Sequence, residues 1–215
     1  MPAMAKDKQD RKSEWIVPKE LVAATTNPDL VTVPARLALA IDGAGAPVGD
    51  FYTQSLAALF GVTYALKFAR KKSGDGTPFK VAPLEGRWSA EDWSDPDTLP
   101  PSERWRWRLR LCVPGDVTQG EVANTIRAVI GKKKGKLEDS TFAAQVFLEK
   151  IPQQRCGRIL HVGPYADEPR SFALIKGVLD TAGLVAAYHH LEIYMSDPRR
   201  VVPARLKTVL LKEAR

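Results

Sequence analysis

The chain is poor in the residues that build metal centres and disulfide frameworks, with two cysteines and three histidines among 215 residues. Cys112 and Cys156 lie far apart, in no CxxC or Cys/His cluster, and read as reduced thiols. Zinc ligation by Cys112, Cys156, His161, His189 and His190 fits no known ligand spacing, and no motif calls for a cofactor. No apolar run approaches the roughly 20 residues that span a bilayer, so no membrane partner is expected. The opening MPAMAKDKQDRK is charged and has no apolar h-region, which reads as no secretory signal and makes the cytoplasm the default. Positive charge is in excess, at +7, but it is not concentrated. Its densest runs, Arg70-Lys71-Lys72 and Lys132-Lys133-Lys134, fall at expected helix ends, where cations complement the dipole and form a solvated face. With no helix-turn-helix, RNA-recognition or zinc-finger signature, no nucleic-acid partner is expected.

What remains is the composition of an ordinary soluble globular protein, 44% hydrophobic and 27% charged. Residues 1–18 read as a flexible tail and 19–215 as one domain. Pro34 to Asp42 reads as a strand closed by Gly43-Ala44-Gly45-Ala46-Pro47. Asp50 is an N-cap for a helix over 50–70, which Ser73-Gly74-Asp75-Gly76 ends. A strand over 79–84, an acidic Pro-rich loop over 90–103 and a strand over 104–113 follow. Thr118 and Glu121 form a capping box for a helix to about 133. The second half gives strands over 143–151 and 158–162, the turn Gly163-Pro164-Tyr165, a helix over 168–182, and strands over 187–195 and 206–211.

The order strand, Gly turn, helix, strand, strand thus occurs twice, over about 30–133 and 141–213. The expected fold is α+β: tandem strand-helix-strand-strand modules related by a pseudo-two-fold, with antiparallel sheets around a central ligand cleft between their uncovered faces.

Two stretches carry candidate chemistry. In Arg104–Val113 the arginines 104, 106, 108 and 110 alternate with Trp105, Trp107, Leu109 and Leu111. The arginines read as a solvated ladder, and Trp107 either joins the core or edges a ligand pocket. In Ala187–Arg200, His189, Leu191, Ile193 and Met195 share one face, suited to a core. His190, Glu192, Tyr194 and Ser196 share the other, suited to a pocket wall. A carboxylate there serves as counter-ion, acceptor or general base, unless it pairs with an arginine such as Arg200.

Several stretches together resemble the GyrI-like (gyrase-inhibitor-like) small-molecule-binding proteins. They are Ile41-Asp42-Gly43-Ala44-Gly45, Tyr64-Ala65-Leu66-Lys67, Pro83-Leu84-Glu85-Gly86-Arg87-Trp88, His161 to Pro169, and Glu192 to Arg200 with Lys207-Thr208. They run in order from about residue 15 to the end. The resemblance implies tandem modules around a cleft that takes hydrophobic, aromatic or cationic small molecules. In some members it also implies hydrolysis of the cyclopropane of DNA-alkylating natural products, a detoxification. On this reading Glu192, Tyr194 and Tyr165 are catalytic, and Tyr64, Trp88, Trp107 and Glu85 bind the ligand. Trp88-Ser89 stands where the family often has two adjacent tryptophans, which implies a wider or less aromatic pocket. The extra residue in His189-His190-Leu191-Glu192 leaves the roles of the two histidines open, and the natural ligand and oligomeric state are open too. The alternative to an enzyme is a module that sequesters or senses drugs without turnover.

Overall fold

The computed structural model describes residues 16–90, 100–132 and 137–215. Most of the expected tail, the middle of the acidic Pro-rich loop and part of the second lysine run lie outside the described residues. Ile16 to Pro18 are not tail-like: Val17 is buried in an apolar cluster with Leu21, Val33 and Val209.

The described residues form an α+β fold with one antiparallel sheet. Its strands are β1 (Asp29–Val33), β2 (Arg36–Ala44), β3 (Glu85–Ala90), β4 (Trp105–Val113), β5 (Phe147–Ile151), β6 (Gln154–Val162), β7 (His190–Tyr194) and β8 (Lys207–Glu213). The helices are α1 (Lys19–Val22), α2 (Gly49–Ser73), α3 (Gln119–Lys132), α4 (Leu137–Ala144) and α5 (Glu168–Thr181). The order across the sheet is β1-β6-β8-β7-β3-β4-β2-β5.

The repeat is visible in that order. Within the first half β4 lies between β2 and β3; within the second half β8 lies between β6 and β7. The halves meet edge to edge where β3 pairs with β7, Gly86 opposite Glu192 and Trp88 opposite His190. Each half also lends its first strand to the other, β1 pairing with β6 and β5 with β2. Because only residues 34–35 separate β1, at one edge of the sheet, from β2, next to the other edge, the sheet curls into a half-barrel.

Side-chain parity sorts the two faces. The inner face of the curl buries Val33, Cys112, Cys156, Leu191, Ile193, Val209 and Leu211. The outer face carries the helices. α2 buries Ser55, Ala58, Leu59, Val62 and Leu66, spaced three and four apart. These meet Leu39, Ile41, Trp107, Leu109 and Leu111 of β2 and β4. α5 lays Ile175 and Leu179 against Gly157 of β6, where a Cβ would stand 2.6 Å from Ile175. Burial of a Leu or Ile side chain contributes about 1.5–3 kcal/mol each, and this packing seats both helices. Both lie on the same face: Trp107 and Trp88 touch Tyr52 of α2, and His190, on the same face, touches Phe172 of α5.

Three sequence expectations are corrected. The strand expected over 79–84 begins at Glu85 instead, as β3; Phe79 is a buried bridge residue and 80–84 belong to no strand. Ala143 and Ala144 end a helix, so β5 starts at Phe147. Of the arginine ladder only Arg104 and Arg106 are exposed; Arg108 and Arg110, and Arg70 of the first basic run, are not a solvated face. Arg70 is buried and bridges α2 to Asp116 and Glu121 before and within α3. Arg110 is buried on the inner face, held by Glu85 and Glu149, and Arg108 binds Asp42 and Glu149.

Candidate functional site

The side chains expected to line the cleft gather on the helix-bearing face at the β3–β7 join, which α2 reaches through Tyr52 and α5 through Phe172, and not on an uncovered face as expected. The sheet's pleat sends His190, Glu192 and Tyr194 to this face while Leu191 and Ile193 enter the core. Glu192 is buried, at 8% exposure, and among the described residues its hydrogen bonds come from its own strand. His190 Nε2 lies 2.8 Å from its Oε1, and the Tyr194 hydroxyl donates to its Oε2 at 2.7 Å. Trp88 Nε1 donates to the Tyr194 oxygen at 3.2 Å, so one chain of hydrogen bonds runs from β3 to the carboxylate. Gly86 makes this possible: a Cβ at that position would stand 2.7 Å from Trp88 Nε1 and 3.2 Å from the Tyr194 hydroxyl. Arg200, the expected rival partner, pairs with Asp197 instead.

Aromatic rings surround the carboxylate. Tyr52 of α2 stacks on Trp88 with centroids 6.5 Å apart, and Trp105 meets Trp88 edge-on at 5.6 Å. Tyr165 stands perpendicular to Tyr194 at 6.0 Å. Gly163, at φ 142°, turns the chain out of β6, and Pro164 leads into the 3₁₀ turn Tyr165–Asp167 that presents the Tyr165 ring. Phe172 packs on the His190 ring at 4.7 Å. Behind this turn His161 is a satisfied core histidine, 2.9 Å from Ser171 Oγ and 3.1 Å from the Pro164 carbonyl.

Electrostatics single out the same place. Burial, then the Glu192 charge, then Tyr165 push the Tyr52 hydroxyl up to about 12. Burial and Glu192 hold Tyr194 well above the ordinary tyrosine range, and the same two causes, in that order, raise Tyr165. Glu168, the first residue of α5, is 6% exposed, and its Oε1 has no hydrogen-bond partner. Burial and the neighbouring Glu192 push its carboxyl up to about 9.

Of the residues expected to serve the site, the structure brings Glu192, Tyr194, Tyr165 and Trp88 together. Trp107 is core: it is 2% exposed, seated over Gly43, and backs the cleft only through Tyr52, 5.2 Å away. Two others are elsewhere. Tyr64 lies on the outer side of α2, 43% exposed and stacked between Phe60 and Phe68. Glu85 points to the opposite face of β3 from Trp88, where Arg36 and Arg110 hold it at 2.9 and 2.8 Å. Burial alone would raise its carboxyl, but the two guanidinium charges outweigh that and keep it below the usual range. Sequence reasoning missed Tyr52 and Glu168. The signal for Glu168 was there, three residues after Tyr165 in Gly163-Pro164-Tyr165-Ala166-Asp167-Glu168.

No family model matches the chain, and no curated protein matches it. Solved structures do. The fold is similar to that of an uncharacterized conserved protein from Listeria innocua, 28% identical over 90% of this chain and 94% of that one, with a TM-score of 0.80. A hydrolase from Listeria innocua is 26% identical over the same shares, with a TM-score of 0.76. The C-terminal domain of EcmrR shares the fold alone, at 10% identity, 87% and 96% coverage and a TM-score of 0.54. Among the described residues no helix is long and apolar enough to cross a membrane.

Proposed function

We propose that the cleft takes flat hydrophobic, aromatic or cationic small molecules and that the protein is a GyrI-like hydrolase of cyclopropane-bearing DNA-alkylating compounds. The observation that carries this is the state of Glu192, a buried carboxylate walled by aromatic rings and held by His190 and Tyr194. Desolvating a carboxylate costs stability, and a group so buried is retained where a ligand or a reaction uses it. Similarity to a hydrolase from Listeria innocua over nine-tenths of the chain supports the enzyme reading over a sequestering module.

In this reading Trp88 and Tyr52 hold the flat ligand by stacking. Glu192 orients a water and takes its proton. The water oxygen bonds to the ring CH₂, the strained C–C bond breaks, and its electron pair passes into the dienone to leave a phenolate, which is then protonated. Tyr194 is a poor donor for that oxygen, because its proton is committed to Glu192. Tyr165, two-fifths exposed and with no hydrogen bond to another described residue, is the better placed donor. The absence of a nucleic-acid partner belongs to the same proposal. Its support is that Arg36, Arg70, Arg108, Arg110 and Arg158 are paired with carboxylates and so unavailable to phosphates.

The test is incubation with a cyclopropane-bearing alkylator, followed by mass spectrometry. A product one water heavier, formed by the wild type and lost in Glu192→Gln, is expected. Tight binding without product would leave a sequestering module, and neither binding nor product would sink the cleft reading itself.

A further inference from the structure

Two carboxyl groups share the cleft and only one has hydrogen-bond donors. Glu192 is satisfied on both oxygens. Glu168 is as deeply buried, brought in by the first turn of α5, and leaves Oε1 without a partner. Like charges so placed in an aromatic site do not both ionise; the one without donors keeps its proton. The groups that face Glu168 sharpen this. From β7 come the Glu192 charge and Tyr194, and from the preceding turn Tyr165, both tyrosines sensing Glu168. From β8, the Lys212 ammonium lies over the Phe172 ring of α5 at 5.9 Å and donates to the carbonyls of Ala187 and Tyr188. From β6, His161 is engaged by Ser171 and Pro164, and on its own turn Asp167 pairs with Arg170.

We propose that Glu168 is the proton-carrying partner of Glu192, so that a flat aromatic dication enters the cleft by displacing one proton from Glu168, while a monocation of the same shape is held by Glu192 without proton exchange. The proposal rests on the cleft being a ligand site. Its logic is that of charge matching. A monocation neutralises Glu192 and relieves its repulsion, but burial, the larger cause of proton retention by Glu168, stays. A second positive charge supplies a counter-ion for the ionised Glu168, and the proton leaves for solvent. Without a second positive charge Glu168 therefore keeps its proton near neutrality and gives it up only at about pH 9.

The experiment uses two quaternary probes that carry no titratable proton, N,N′-dimethyl-4,4′-bipyridinium and 1-methyl-4-phenylpyridinium. Titration calorimetry at pH 7 in two buffers of different ionisation enthalpy counts the protons released. About one is expected for the dication and close to none for the monocation. Dication affinity should climb about 100-fold from pH 7 to pH 9, one decade per unit, and level off above that. Glu168→Gln, checked for wild-type circular dichroism, should keep monocation binding and lose both the proton release and the slope. Dication binding without proton release, or a wild-type affinity flat between pH 7 and 9, overturns the proposal whether or not the variant folds. If neither probe binds while the wild type is folded, the ligand-site reading fails and takes this inference with it.

Discussion

The two faces of the β3–β7 junction bury carboxylates in opposite ways. On the inner face Glu85 accepts from Arg36 and Arg110, and Arg110 goes on to Glu149, so the charges close on one another. On the outer face Glu192, one residue from Glu85's partner Ile193, and Glu168 of α5 lie near tyrosines and tryptophans, and among the described residues no arginine hydrogen-bonds to either. A closed network of this kind belongs to the fold, because every member is supplied from within the chain. The open pair shows no such closed network among the described residues, and it is there that the proposed ligand would bind.

The sharpest way to break this contrast is to remove a carboxylate from the closed face. Glu85→Ala leaves two buried guanidinium groups short of an acceptor and should cost about 3–5 kcal/mol in urea unfolding. A loss under about 1 kcal/mol would mean the inner network is looser than it is drawn here. The matching change on the open face, Glu192→Gln, should lower turnover on the order of 100-fold while the unfolding midpoint hardly moves. If instead it unfolds the protein, Glu192 belongs to the fold and the contrast between faces collapses.

Glu168→Gln should reverse the usual sign of a buried substitution. The wild-type carboxyl keeps its proton in the folded state up to about pH 9, whereas the unfolded chain releases it near the ordinary glutamate value. The stability this gives is present in full at acid pH and lost progressively as pH rises toward 9. The glutamine variant has no such loss, and at pH 7 should be more stable by on the order of 2 kcal/mol, with the gap closing toward pH 5. Thermal melts at both pH values check it. Smallest of all, Tyr64→Ala on the outer side of α2 should shift stability by no more than about 0.5 kcal/mol and leave probe affinity unchanged.

Much of this was legible locally. The tandem order, the long first helix, the Thr118–Glu121 box and the parity that turns Glu192 away from the core all follow from short-range periodicity. What failed was long-range. β3 reads as Glu-Gly-Arg-Trp-Ser-Ala, too polar for a buried strand until Arg36, Arg110 and the curl of the sheet supply partners for Glu85. Arg108 and Arg110 of β4 look solvated in sequence because their carboxylates lie on β2, β3 and β5. Tyr64 was carried over by resemblance to the face of α2 that points away, while Tyr52, three turns earlier, is the ring that reaches Trp88. Glu168 read as an ordinary acidic residue in a first helical turn, where the dipole alone accounts for it. Only the burial of that turn against β7 makes it unusual.

The exchanged edge strands set a timetable for biosynthesis. Asp29 finds its partner Arg158 at a separation of 129 residues, so the N-terminal strand emerges from the ribosome long before the strand it pairs with. At roughly 5–20 residues per second, that is several seconds or more during which neither half owns a complete sheet edge. Neither half is therefore a self-sufficient folding unit. A nascent chain that stalls between them offers an unpaired β2 edge to whatever strand arrives first, including that of a neighbouring copy on the same message.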